Sequence, residues 1–229
     1  MTLGIMQPYL FPYIGYWQLI EAVDTFIIYD DVSYIKQGWI NRNQILFNSK
    51  RYLFTLELQG ASSFKKINEV EVGNNRIKLL KTFEQAYRKA PFFNDVFPML
   101  TNIMTNQELN LARYLEYSIK EIVSYLNLQT KIIISTQIEK DTSLKGQDKI
   151  INICKKLNAT HYINTIGGQV LYDKESFTKR DISLSFIKTN LMEYRQFSDE
   201  FISHLSIIDV MMFNNINDIK NMMQEYELV

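Results

Sequence analysis

The stretch Gln7–Asp31, QPYLFPYIGYWQLIEAVDTFIIYDD, decides the fold class. Each of its two prolines disfavours helix at the residue before it, so Gln7–Pro12 reads as a loop. Pro12 suits the first turn of a helix, where a missing N–H costs little, and Tyr16, Leu19, Ile20 and Val23 then recur on one helical face. Thr25–Tyr29 is β-branched and aromatic enough for a buried strand, and the apolar Leu3–Met6 ahead of the loop reads as another. Strand, loop, short helix, strand is a right-handed crossover unit. It sets Asp30 and Asp31 at the carboxyl end of a strand, the side on which open α/β sheets bind ligands.

Downstream, NQILFNSKRYLFTLEL places two apolar runs on either side of Asn48-Ser49-Lys50 and reads as a hairpin. From Arg76 to Leu126 the character is helical: Ala112, Leu115, Ile119, Ile122 and Leu126 form a stripe, and Pro91 and Pro98 interrupt the region earlier. Alternation then returns, with KIIIS a strand, Gln147–Leu157 a helix, HYIN a strand, Lys174–Lys179 a short helix and ISLSF a strand. The tail from Ser198 reads as helix, with Phe201, Leu205, Ile208 and Met212 on one side. Strands alternating with helices predict a Rossmann-like, mostly parallel α/β sheet of nucleotidyltransferase type. A hairpin at 41–58 and a helical region at 76–127 are inserted in a single domain spanning 1–229.

The composition narrows the partners. Twenty-five acidic and 25 basic residues cancel, leaving no basic field for nucleic acid or an anionic membrane surface. The single cysteine, Cys154, permits neither an internal disulfide nor a thiolate metal site, which fits a reducing cytoplasm. No signal peptide and no run long enough to cross a bilayer is present, so a cytoplasmic protein without membrane insertion is expected. A homo-oligomer stays open.

Several groups of residues could carry chemistry. Tyr13-Ile14-Gly15-Tyr16 falls where nucleotidyl-transferring enzymes of the pantothenate synthetase class carry His-x-Gly-His. Tyrosine in place of imidazolium supplies a neutral hydrogen-bond donor, and Gly15 allows close approach of a ligand or of backbone. The alternative is that Tyr9, Tyr13 and Tyr16 pack the core. Asp30 and Asp31 could hold Mg²⁺ through water, bind sugar hydroxyls or act as a base, or could simply form a turn. Lys36, Trp39, Asn41 and Arg42 combine phosphate-binding cations with an aromatic face. Lys145 precedes a helix start, where an anion could sit. Asn164 ends a strand ahead of Gly167 and Gly168. His204 is one of two histidines and a natural proton carrier, with Asp209 five positions on.

Taken together, the segments MQPYLFPYIGYWQLIEAVDTFIIYDDVSYIKQGWINRN, THYIN, GGQVLYD and HLSIIDVMMFN resemble the WbqC-like protein family over nearly the whole chain. The resemblance implies a place in bacterial O-antigen and surface-polysaccharide biosynthesis, with a glycine-transferase role on sugars. The implied partners are a nucleotide-linked amino sugar and a small acyl or amino-acid donor. Activation is left open between ATP with Mg²⁺ and a ready-activated donor. The implied site sets Gln7, Tyr9, Tyr13, Asp30, Asp31, Asn41 and Arg42 on one side. Asn164, Gly168, His204 and Asp209 stand on the other. The alternative is a non-catalytic sugar-nucleotide-binding or assembly protein.

Overall fold

The computed structural model describes all 229 residues. The chain enters through β1 (Thr2–Met6), α1 (Ile14–Glu21) and β2 (Thr25–Ile28). A hairpin follows, β3 (Arg42–Phe47) with β4 (Lys50–Thr55), turned through Asn48 and Ser49, both at positive φ. A small ribbon of β5 (Leu58–Gln59) and β6 (Glu71–Val72) leads to α2 (Arg76–Tyr87), α3 (Phe93–Thr105) and α4 (Leu111–Tyr125). The α/β alternation resumes with β7 (Lys131–Ile134), α5 (Gly146–Lys156), β8 (His161–Thr165), α6 (Lys174–Thr178) and β9 (Ser183–Thr189). The chain ends in α7 (Ile207–Phe213), α8 (Ile216–Gln224) and β10 (Tyr226–Leu228).

The main sheet has the order β10-β9-β8-β1-β2-β7. Its strands are parallel except β10, which pairs antiparallel with β9. This is the Rossmann-like, mostly parallel α/β arrangement that the alternating pattern predicts. The strands are short and nearly continuous in apolar character because both faces are covered. On one face Leu19, Ile20, Phe26, Ile28 and Ile163 join the larger core, which continues through the α2–α4 helices. On the other, Leu3, Ile5, Ile27, Tyr162 and Phe186 pack against Ile150, Ile151, Ile153 and Cys154 of α5. Pro98 lies inside α3, and the helix continues through it with Met99, Leu100 and Ile103 still buried.

The tail departs from its predicted helical reading. Residues 198–206 form no helix, and His204 takes a positive φ of 56°. Ser206 caps α7 by accepting the Ile208 amide, and Asn215 caps α8 by accepting that of Asp218. The edge strand β10 is too short and too polar, Tyr-Glu-Leu, to announce itself by pattern. No helix is long and apolar enough to cross a membrane.

Asp30 ties the first crossover to its neighbours. Its carboxylate accepts the Thr136 amide and hydroxyl (3.0 and 2.8 Å) beyond β7, and Asn68 Nδ2 (3.2 Å) ahead of β6. Hydrogen bonds to a charged acceptor are worth more than neutral ones, so Asp30→Ala should lower the unfolding free energy by about 2–4 kcal/mol. Chemical denaturation would read this loss, and the far-UV spectrum of the folded variant should stay that of the wild type.

Candidate functional site

Strand periodicity assembles one polar cluster. Side chains facing α5 run Leu3 and Ile5 in β1, Ile27 in β2, Ile133 in β7 and Tyr162 in β8. Continued with a period of two, past the ends of β1, β2 and β7 and within the last residues of β8, these rows reach Gln7, Tyr29, Ser135 and Asn164. The chain leaves β1 toward β2 through α1 and reaches β8, on the other side of β1, through α5 on the opposite face. The polar row therefore stands at the topological switch point, where doubly wound sheets open a crevice.

Within the row, Asn164 donates to the Tyr162 hydroxyl (3.0 Å), which donates to that of Tyr172 (3.4 Å). Gly168 lies on Asn164 so closely that a Cβ would come 2.9 Å from its Nδ2. Burial raises the Tyr29 phenol, helped by Asp31 and Tyr172, and burial also raises Tyr162 and Tyr172. All three therefore stay neutral hydrogen-bonding groups near neutral pH. Asp31 meets two ammonium groups, Lys149 Nζ at 2.9 Å and Lys140 Nζ at 3.3 Å. Burial alone would raise the Asp31 carboxyl, but the Ser135 hydroxyl beside it and the two lysines outweigh that and hold it below its ordinary value. The Ser135 contact is no regular hydrogen bond: Ser135 Oγ and Asp31 Oδ1 are both buried without a formed partner.

An aromatic cleft of about 220 Å³ opens beside the loop before α1. Tyr9, Pro12, Tyr13, Trp39, Asn43 and His204 line it. The Tyr13 and His204 rings lie 6.4 Å apart, and both also border a second, smaller cavity next to Thr189. Tyr13 folds back over the first turn of α1. A methyl on Gly15 would collide with the Tyr13 hydroxyl and lie 2.6 Å from Thr189 Oγ1. Gly15 thus serves the tyrosine ring directly.

The predicted residues divide by how their polar atoms are used. Gln7, Tyr9, Tyr13, Trp39, Asn164, Gly168 and His204 stand at the carboxyl ends of the strands or in the cleft. Tyr16 is buried and donates to the Gln7 carbonyl, and Asn41 is buried between the Tyr34 hydroxyl and the Leu56 carbonyl. Arg42 donates to the Gly38 and Gln37 carbonyls and stacks over Trp39, so its guanidinium shapes that loop. Lys36 and Lys145 are exposed, and Gly167 faces open space. Asp209 is fully buried, away from any His204 partnership, and accepts from Tyr87, Tyr194 and Gln196, each at 2.7 Å. Asp30 and Asp31 do not fit a Mg²⁺ ligand pair, because protein donors already hold Asp30 and lysines hold Asp31. No group of three or more His, Cys, Asp or Glu residues is placed to hold a metal ion. Tyr29, Lys140, Lys149 and Tyr172 escape the sequence reading. Tyr29 could have been found by extending the strand alternation, whereas the lysines join Asp31 only through the crossover.

Two measurements follow from this geometry. Gly15→Ala should destabilise the fold by about 1–3 kcal/mol through overpacking, and adding Tyr13→Ala should recover part of that loss in a double-mutant cycle, the Thr189 contact remaining. Burial raises the Asp209 carboxyl, although its three donors oppose the rise. The folded chain therefore keeps this proton to higher pH than the unfolded chain. The resulting stability is full below the ordinary carboxylate value of about 4 and declines as pH rises through the folded value. Asp31, held low, works the other way: its contribution is present above the ordinary value and is lost as pH falls through the folded one. Thermal melts across this range should show wild type losing ground to Asp209→Asn as pH rises and to Asp31→Asn as pH falls.

Comparison with known proteins places the chain in sequence space. It is 29% identical over 213 residues to the uncharacterized protein Rv1507c of Mycobacterium tuberculosis, covering 91% of each chain. No solved structure matches it. The model of the WbqC-like protein family matches residues 7–221, from the loop before α1 to α8, and the chain belongs to that family.

Proposed function

We propose that this protein is a transferase that modifies a nucleotide-linked amino sugar by acyl or aminoacyl transfer to the sugar amine, in bacterial surface-polysaccharide biosynthesis. The observation that carries the reading is the pairing of an aromatic cleft with a polar, lysine-bearing row at the switch point of the sheet. Trp39, half exposed, and Tyr9 offer flat faces for a sugar or base, and the half-buried Gln7 amide stands ready for directional hydrogen bonds. In the reaction the sugar nitrogen bonds to the donor's carbonyl carbon, the bond from that carbon to its leaving group breaks, and the amine proton passes to a base. His204 is the free imidazole bordering the cleft and takes the base role. Tyr13 beside it supplies a neutral hydroxyl toward the developing oxyanion.

A non-catalytic sugar-nucleotide-binding role is the second reading. It draws on the commitment of Asp30, Asp31, Arg42 and Asp209 to internal partners, which leaves few free acid–base groups.

The deciding experiment incubates the protein with a panel of nucleotide-linked amino sugars and activated acyl or aminoacyl donors, with ATP arms, and follows product mass. Product should form, and His204→Ala should lower kcat/KM by about a hundredfold or more in a folded variant, within the usual range for removing a general base. Nucleotide-sugar binding without turnover under any donor would leave the binding role, and neither binding nor turnover would remove both readings.

A further inference from the structure

At the carboxyl edge of the sheet, two lysines share one carboxylate inside the protein. The side chains of Lys140, Lys149 and Asp31 are 3%, 11% and 9% exposed. The group carries a formal surplus of one positive charge, and Asp31 is the only acid in ion-pair contact with either lysine. Lys140 Nζ also donates to the Ser135 carbonyl. Lys149 Nζ bonds only to Asp31, with the Tyr29 ring 5.2 Å away, so the rest of its donor capacity is unused. The ring's quadrupole eases the desolvation of that ammonium but brings no charge.

A nearly buried cation without a matching anion is costly, and the fold does not relieve it internally. Two further features lie beside it. Ser135 Oγ, fully buried, lies beside the Asp31 carboxylate without a formed hydrogen bond. Lys149 sits in the first turn of α5, an eleven-residue helix whose start has no side-chain cap and whose amides point their partial positive charge the same way. The first-turn acid, Asp148, is exposed and bonds to neither lysine.

We propose that Lys140 and Lys149 form a phosphate subsite at the switch point, with Asp31 as the positioning residue that holds the two ammonium groups together. Lysine suits phosphate as a point charge without the fork geometry that a planar carboxylate favours. Each phosphorus of a nucleoside diphosphate-sugar carries one negative charge, which equals the surplus. The site stands on charge and geometry alone; equating its phosphate with that of a nucleotide-linked sugar rests on the function proposed above.

The test is calorimetric titration of the full chain with pyrophosphate, with UDP-glucose and with acetate, for wild type, Lys149→Met and Lys140→Met. Wild type should bind pyrophosphate, more weakly at higher salt, and each methionine variant should bind it at least about tenfold more weakly while acetate gives no heat. Absence of pyrophosphate binding by wild type, binding by either methionine variant as tight as by wild type, or acetate binding as tight as pyrophosphate would overturn the subsite. Should the methionine variants not fold, the lysine side-chain NMR resonances of wild type decide instead. Pyrophosphate should then shift those of Lys140 and Lys149 selectively, and unchanged resonances reject the proposal. Pyrophosphate binding without UDP-glucose binding keeps the phosphate subsite and counts against its use for that nucleotide-sugar.

Discussion

The carbonyl of Phe11 is the point on which the site's architecture turns. It accepts Asn43 Nδ2 at 2.8 Å and Ser206 Oγ at 2.7 Å, so the loop after β1, the hairpin and the C-terminal segment meet at one oxygen. Phe11 itself has a φ of 47°, a left-handed conformation that costs a non-glycine residue on the order of 1–2 kcal/mol. That strain is held by the two hydrogen bonds and by the buried phenyl ring, which packs against Phe54 and Phe83. The next carbonyl, that of Pro12, accepts the Trp17 indole and the Ile207 amide, both at 3.0 Å. Two successive carbonyls thus fix the loop that carries Tyr9 and Tyr13, and they bring in the segment that carries His204. The aromatic cleft is formed by chain regions almost two hundred positions apart, and its shape follows from this junction.

Buried polarity elsewhere divides into two kinds. Around Asp209 the carboxylate is satisfied by two phenols and an amide with no cation nearby, so its charge is tolerated at the expense of stability near neutral pH. Around Asp31 the balance is reversed, and positive charge exceeds negative. The first arrangement closes on itself and joins α7 to α2 and to the segment after β9. The second is incomplete as it stands. A saturated buried network rigidifies and specifies a fold, whereas an unsatisfied one calls for an explanation.

Much of the fold is legible because it rests on local signals. The prolines at 8 and 12, the β-branched TFII and KIII runs and the spacing of Ile150, Ile151 and Cys154 each report a nearest-neighbour preference, and β1, β2, β7 and α5 lie where those signals put them. The tail misleads because Phe201, Leu205 and Ile208 keep helical spacing by accident: Leu205 and Ile208 are buried, but a turn at His204 separates them from Phe201, which is only half-buried. The site is legible only in part. Residue type alone points to Tyr13, Trp39 and His204, which border the cleft, and equally to Arg42 and Asp209, of which Arg42 is partly and Asp209 wholly committed to partners within the fold. Composition cannot tell a free guanidinium from a committed one. Lys140 and Lys149, more than a hundred positions from Asp31, become visible only when the crossover brings them to it.

The substitution of tyrosine for histidine in the loop motif has a structural consequence beyond a change of acidity. In a His-x-Gly-His loop the imidazolium groups can donate to developing phosphoryl charge. Here Tyr16 turns inward to the Gln7 carbonyl and Tyr13 lies across Gly15, covering the first turn of α1 where an anion would otherwise meet free amides. A phosphate excluded from that position would find uncompensated positive charge on the other face of β1, at Lys140, Lys149 and the uncapped start of α5. The two faces thus differ in kind: aromatic side chains line a cleft on the α1 side, and ion-paired lysines lie on the α5 side.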